Sequence, residues 1–335
     1  MSTVEGLGER KIIEIIWENL DKTSDMPVPF GDDVSAVKLE SAKLAVLKTD
    51  MLVGCTDIPP RMSYWQAARK AIVMNVSDFA AKGVKPQGII VSLGIPRSLS
   101  KKAVEQIGKG LNAGAREYGT FVLGGDTNEA RDLIISIAVF GLAKKENLVL
   151  RSGAVIGDIV ATTGLFGLAS AGLKILTEGL GASQKIGRKL LDAALMPKAR
   201  LREGLVLAKT GAVTASIDSS DGLAWSLHEI SRASNVGFMI DAPPIALETY
   251  EFAKMHNIDP FELSFYGGEE YELVVTVDPK HWRNVQAKVS HQGGRLIKIG
   301  QVMGDKKILL KERGQVAEIE ARGYEHLGYD GGRDS

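Results

Sequence analysis

The stretch "ASIDSSDGLAWSLHEI", residues 215–230, ends an apolar run on two aspartates and two serines, and a helix-like pattern follows at once. Carboxylates placed where a strand hands over to a helix suit cation and phosphate chemistry, because strand ends facing a crevice are the usual ligand side of an α/β sheet. Comparable acids recur along the chain. "PFGDDVSAV" offers Asp32 and Asp33 just before a strand, and "LAVLKTDML" delivers Asp50 at a strand end. "VLGGDTN" delivers Asp126 behind two glycines that let backbone approach a ligand, and "SIDSSDG" adds Asp218 and Asp221. Each of these alone has a plain structural role, since aspartate caps helices and fills turns; Asp221 could be only an N-cap.

Asp78 is harder to explain that way. It lies in "AIVMNVSDFAAKG", among Ala, Val, Ile, Met and Phe, on a helix that reads as buried. An uncompensated buried carboxylate costs several kcal/mol, and converging aspartates repel one another. A hard divalent cation relieves both penalties, and Mg²⁺ favours carboxylates plus substrate phosphates over a full protein cage. On this reading Asp218 and Asp221 hold metal that bridges phosphate. "YGGEEYELVVTV" places Glu269 and Glu270 between two glycines and a strand. Two readings stay open there: a loop with solvated acids, or a glycine-lined pocket wall presenting an acid to a polar or cationic ligand.

Other chemistries find no footing. The Walker pattern is absent, "GASQKIGRK" carrying Arg188 where its lysine belongs, and "GKGLNAG" lacks the strand that a dinucleotide fingerprint requires. His228, His256, His281, His291 and His326 show no metal-ligand spacing, His228 reading as structural, and Cys55 has no paired base. Lys plus Arg equals Asp plus Glu at 41 each, so no net field favours nucleic acid or an anionic membrane. Hydrophobic residues at 44% and charged residues at 24% fit a soluble globular chain, and a single cysteine with no signal-like apolar segment points to the cytoplasm.

The elements that must position these acids alternate between helical and strand-like. "ERKIIEIIWENL" repeats Ile12, Ile13, Ile16 and Leu20 at helical spacing. "SYWQAARKAIVMNVSDFAAKG" predicts a long apolar helix with Ser63 as N-cap and Gly83 as stop, and Ser100 caps another. Strands are expected at "SAVKL", "LAVLKTD", "GIIVSLGI", "TFVLGGD", "LIISIAVFGLA", "TASID", "GFMID" and "EYELVVTV", and the four tryptophans, 17, 65, 225 and 282, occupy core-like positions. The pattern restarts after "KKEN", so two α/β domains are expected, 1–145 and 146–335.

The ordered segments "GDDVSAV", "KTDMLV", "NVSDFAAKGVKP", "LGGDT", "RSGAVIGD", "TTGLFGLASAGL", "IDSSDGL" and "GGEEYEL" resemble the thiamine-monophosphate kinase family of the PurM-like superfamily. They run from about residue 31 to 277, with a weaker match at "ARGYEHLG". The resemblance implies a two-domain α/β fold, an N-terminal domain that dimerises, and ATP-dependent phosphorylation of thiamine monophosphate by direct γ-phosphoryl transfer. It implies several Mg²⁺ ions on Asp33, Thr49, Asp50, Asp78, Asp126, Asp218 and Asp221. ATP contacts would come from Gly125, Asp126, Arg151 and Ser220, with Glu269 facing the acceptor. Three positions depart from many relatives: Lys48 replaces a serine beside the metal site, Asp57 a substrate-side histidine, and Ala321 an aromatic that stacks on the substrate. Tyr266 or Tyr324 would then supply the stacking. The alternatives are a sister PurM-like enzyme with another small acceptor, and a non-catalytic nucleotide-binding homologue.

Overall fold

In the first half, the expected strands pair into one five-stranded sheet: β1 (Ser35–Lys38), β2 (Lys43–Val53), β3 (Pro86–Ile95), β4 (Val122–Glu129) and β5 (Ile134–Lys144). Their spatial order is β1-β2-β5-β3-β4. The second half builds a seven-stranded sheet from β6 (Ile159–Thr162), β7 (Val213–Ser219), β8 (Gly237–Ile240), β9 (Glu272–Val277), β10 (Ile297–Met303), β11 (Ile308–Glu312) and β12 (Gln315–Glu318), ordered β12-β11-β8-β10-β6-β9-β7. This computed structural model describes residues 7–327 apart from Lys22, Ser24, Ser41 and Arg313. Among the described residues no helix is long and apolar enough to cross a membrane.

Four helices accompany the first sheet: α1 (Glu9–Glu18), α2 (Gly54–Asp57), α3 (Tyr64–Ala81) and α4 (Lys101–Glu117). Helix α3 starts on a capping box, in which the Ser63 hydroxyl accepts from Gln66 N and the Gln66 side chain accepts from Ser63 N. It ends before Gly83, whose φ of 68° is the left-handed conformation a helix stop requires. Ser100 caps α4 by accepting from Ala103 N. A helix apolar nearly all round must be buried, and α3 packs on β2, β5 and α4 on one side and on β7 and β9 on the other. The largest core cluster accordingly joins Phe79, Ile89 and Ile137 to Leu273 and Val275. The two sheets therefore share a core through α3, and side chains on that helix reach both.

The structure corrects several sequence expectations. Strand β2 runs through Asp50 to Val53 and β4 through Asp126 to Glu129, because their ladders with β5 and β3 continue that far. These two acids thus sit within strands and not at their ends. Ile13, Ile16 and Leu20 on the first amphipathic segment are exposed, and all four tryptophans are only half-buried. Helix α1 is tied to the far end of the chain: Gly8 N and Glu9 N donate to Leu327 O and His326 O, each at 3.0 Å, and the Arg10 guanidinium stacks 3.7 Å from the Trp225 ring.

Candidate functional site

Asp33 lies in the turn before β1, Asp78 on α3 and Asp218 on β7, yet each brings a carboxylate oxygen within 4.8 Å of the other two. All three are buried. Lys48 and Asp50 point to the inner face of β2, the face of Val46 and Leu52, because residues two apart share a side of a strand. Lys48 Nζ lies 3.0 Å from Asp78 Oδ1 and 3.8 Å from Asp50 Oδ2. Lys82, directly after α3 and fully buried, places its Nζ 2.7 Å from Asp32 Oδ1 and 2.8 Å from Asp33 Oδ2, and donates to Ser216 O at 2.8 Å. Arg151 closes the group from the start of the second half. Its Nε donates to Asp33 Oδ1 at 2.6 Å, its Nη1 to Gly31 O at 2.8 Å and its backbone N to Asp32 Oδ2 at 3.0 Å.

The electrostatics follow from that crowding. Burial pushes the Asp78 carboxyl well above the ordinary aspartate range; Lys48 pulls it down, while Asp218, Asp33 and Asp50 add to the rise. Burial, then the neighbouring Asp33, pushes Asp218 up to about 6. Burial acts on Asp33 as well, but Arg151 and Lys82 outweigh it and hold that carboxyl low. Burial raises Asp221 too, with Glu9 adding to it. The three cations Lys48, Lys82 and Arg151 are outnumbered by the acids around them, Asp32, Asp33, Asp50, Asp78, Asp218 and Glu229. Buried, closely spaced carboxylate oxygens with a net negative charge are the donor set of a hard divalent cation, so these residues fit Mg²⁺.

The other anticipated residues fall in different places. Thr49 is exposed and paired with Ala138, on the sheet face that also carries the exposed Ile90. Its hydroxyl is therefore on the opposite side of β2 from Asp50, as the alternation of the strand requires. Asp126 is exposed on the edge strand β4 and lies outside the buried triad. Gly125 is obligatory there, since a Cβ would stand 1.8 Å from Val91 O. Ser220 Oγ donates to Asp221 Oδ1 at 3.1 Å.

The two loops "SIDSSDG" and "YGGEEYE" pack on each other. Glu269 N donates to Ser220 O at 2.6 Å and Tyr271 N to Ser219 O at 2.9 Å, and a Cβ on Gly268 would meet Ser220 O at 2.5 Å. Glu269 and Tyr271 hold φ of 68° and 54°, a strained conformation for such side chains and one that concentrates at functional sites. The Glu269 carboxylate is paired with the buried Lys70, which also donates to Asp57 O at 2.9 Å. Asp57 turns its own carboxylate onto Val53 N at 2.6 Å. Lys70 thus ties Glu269 to the Asp57 backbone. Ala321 instead lines a surface cavity of about 380 Å³ with Trp225, His228 and Arg232, which includes neither acid. Tyr266 is covered by the Arg322 guanidinium at 3.4 Å, and Tyr324 is anchored through its N to Asp221 O at 3.1 Å.

Sequence reasoning about which groups form the site missed Lys70 and Lys82. A signal was available: positions 70, 74, 78 and 82 recur every fourth residue, so Lys70, Met74, Asp78 and Lys82 form one stripe of an otherwise apolar segment.

Known proteins share these domains and this fold. Residues 31–143 match the N-terminal domain of AIR synthase related protein and residues 155–311 its C-terminal domain. Thiamine-monophosphate kinase of Nitrosopumilus maritimus is 36% identical over 321 residues, spanning 96% of this chain and 99% of that protein. Its counterpart in Pyrococcus horikoshii is also 36% identical, spanning 95% and 96%. The solved structure of AaThiL complexed with AMPPCP and TMP aligns with a TM-score of 0.83 at 27% identity, covering 96% of this chain and 97% of that one. Escherichia coli HypE, a hydrogenase maturation protein, shares the fold at 21% identity and a TM-score of 0.70. The chain belongs to the thiamine-monophosphate kinase family of AIR synthase related proteins.

Proposed function

We propose that this chain transfers the γ-phosphoryl group of ATP directly to the phosphate of thiamine monophosphate, giving thiamine diphosphate and ADP. The observation that carries the reading is the convergence of Asp33, Asp78 and Asp218, from three distant segments, where the two halves of the molecule meet. The kinase relatives, and the ATP analogue and TMP bound to AaThiL, support the substrates. Asp33, Asp50, Asp78, Asp126, Asp218 and Asp221 would hold Mg²⁺, which when bound neutralises and polarises the phosphoryl oxygens. The protein's share is positioning and charge, as phosphoryl transfer demands. Arg151 has a partly exposed side chain at the rim of the cluster and suits a phosphate contact beside Gly125, Asp126 and Ser220. No activated nucleophile stands among the cluster residues, so one in-line displacement suffices: an acceptor phosphate oxygen forms the new P–O bond and the β–γ bridging oxygen leaves with ADP.

A product assay with ATP, Mg²⁺ and a panel of phosphorylated acceptors tests this. Thiamine diphosphate should accumulate in step with ADP. Turnover of another acceptor without thiamine monophosphate conversion would favour a sister enzyme, and a covalently phosphorylated chain would exclude direct transfer.

On the acceptor side, Glu269 faces a cationic thiazolium and an aminopyrimidine amine, while Lys70 fixes its orientation. Glu269→Gln keeps the shape and a hydrogen-bonding oxygen but loses the charge. It should raise the acceptor KM by about 5- to 150-fold, equivalent to about 1–3 kcal/mol, and leave the KM for ATP within about twofold. The reverse pattern would move Glu269 out of the acceptor pocket.

We also place the homodimer interface on the outer face of the first sheet. Leu47, Met51, Ile90, Leu123 and Phe140 are exposed there as a continuous apolar surface of a kind that monomers rarely leave bare.

A further inference from the structure

The Lys48 ammonium stands inside the carboxylate cluster. Alternation along β2 turns Lys48 inward with Asp50 and turns Thr49 outward. The Lys48 Nζ contacts, 3.0 Å to Asp78 Oδ1 and 3.8 Å to Asp50 Oδ2, are to two of the acids that would bind metal. Asp78 in turn is one of the three aspartates whose oxygens lie within 4.8 Å of one another.

A divalent ion at this edge of the cluster would need carboxylate oxygens at about 2.1 Å, the volume the ammonium already fills. Two cations within a few ångströms of each other also repel strongly in a buried setting. We propose that Lys48 is a built-in cation that takes the place of one Mg²⁺ ion between Asp50 and Asp78, so that this chain binds one divalent ion fewer than it would with a small residue at position 48. This rests on the reading of the cluster as a Mg²⁺ site. A simple structural counter-ion would behave differently: its removal would weaken the fold without opening a new metal position.

The test counts metal on the full chain. Metal-stripped protein is titrated with Mn²⁺ and the free ion is measured by electron paramagnetic resonance, with and without AMPPCP. Lys48→Ser should bind one Mn²⁺ more per chain than wild type, and Lys48→Arg the same number as wild type. Metal-free Lys48→Ser should melt below wild type, and saturating Mn²⁺ should close most of that gap. Lys48→Ala serves for the count if Lys48→Ser does not fold. An equal, non-zero count in wild type and the Ser or Ala variant overturns the proposal and leaves the metal site standing, as does an extra ion in Lys48→Arg. No Mn²⁺ bound by wild type under either condition overturns the metal reading itself.

Discussion

Asp78→Asn should lower turnover by about 10³-fold while the chain stays folded. The neutral amide removes one of the three carboxylates that meet within 4.8 Å, and metal-based charge stabilisation in phosphoryl transfer amounts to several kcal/mol. A loss of about 4 kcal/mol corresponds to about three factors of ten in rate. The fold should survive because burial and the neighbouring acids already work against a charge at this position. Asparagine matches the shape and removes that repulsion. The measurement pairs kcat with circular dichroism and melting temperature, and unchanged turnover would take Asp78 out of the metal set. A pH series adds an independent check. Ligating carboxylates must be ionised, so the Mg²⁺ requirement should climb as pH falls through about 6, the value to which burial and Asp33 raise Asp218, and level off above it. In metal-free protein the same shift has a different consequence. Between about 3.8 and 6 the folded state holds a proton that the unfolded state has released, so this carboxyl weakens the fold as pH rises through that window.

Asp78 stood out in the sequence because of its improbable place, whereas each of the other acids alone had a plain structural role. Asp78 in an apolar helix had to meet a cation, and it meets Lys48. The caps at Ser63 and Ser100 and the stop at Gly83 follow local backbone rules that need no tertiary information. What stayed hidden depends on pairing between distant segments. The length of β2 beyond Asp50 is set by the β5 ladder and not by its own residues. The Lys70–Glu269 pair joins α3 to a loop 199 positions along the chain, a contact that no local pattern encodes. Ala321 is placed on the acceptor side only by a motif; the tail carrying it docks through Gly323 and Tyr324 on Asp221 and Trp225, contacts between distant segments.

Lys82→Met should cost the fold about 3–5 kcal/mol, the usual penalty for breaking a buried ion pair by removing one partner. The lysine is completely buried, and its ammonium is shared between Asp32 at 2.7 Å and Asp33 at 2.8 Å while also donating to Ser216 O across the junction of the two halves. Methionine fills the stem volume, so lost packing contributes little. What remains is a pair of adjacent buried carboxylates held by Arg151 and by Asp33 N, which donates to Asp32 Oδ1 at 2.8 Å. With an unfolding entropy of about 2.1 cal/mol/K per residue, that loss lowers the melting temperature of the 335-residue chain by about 4–7 °C. The pH dependence identifies the cause. Arg151 and Lys82 overcome burial to hold Asp33 below its ordinary value of 3.8, so their contribution is complete above that pH and disappears as pH falls through the lower folded value. The gap between wild type and Lys82→Met should therefore be constant from neutral pH down to about 4 and narrow below it. Adding Asp32→Asn to Lys82→Met should recover part of the loss, since one of the two stranded charges is removed with its partner. Equal melting temperatures for wild type and Lys82→Met at pH 7 would mean that Arg151 and Asp33 N satisfy both carboxylates, and the lysine would then be a passenger in the cluster.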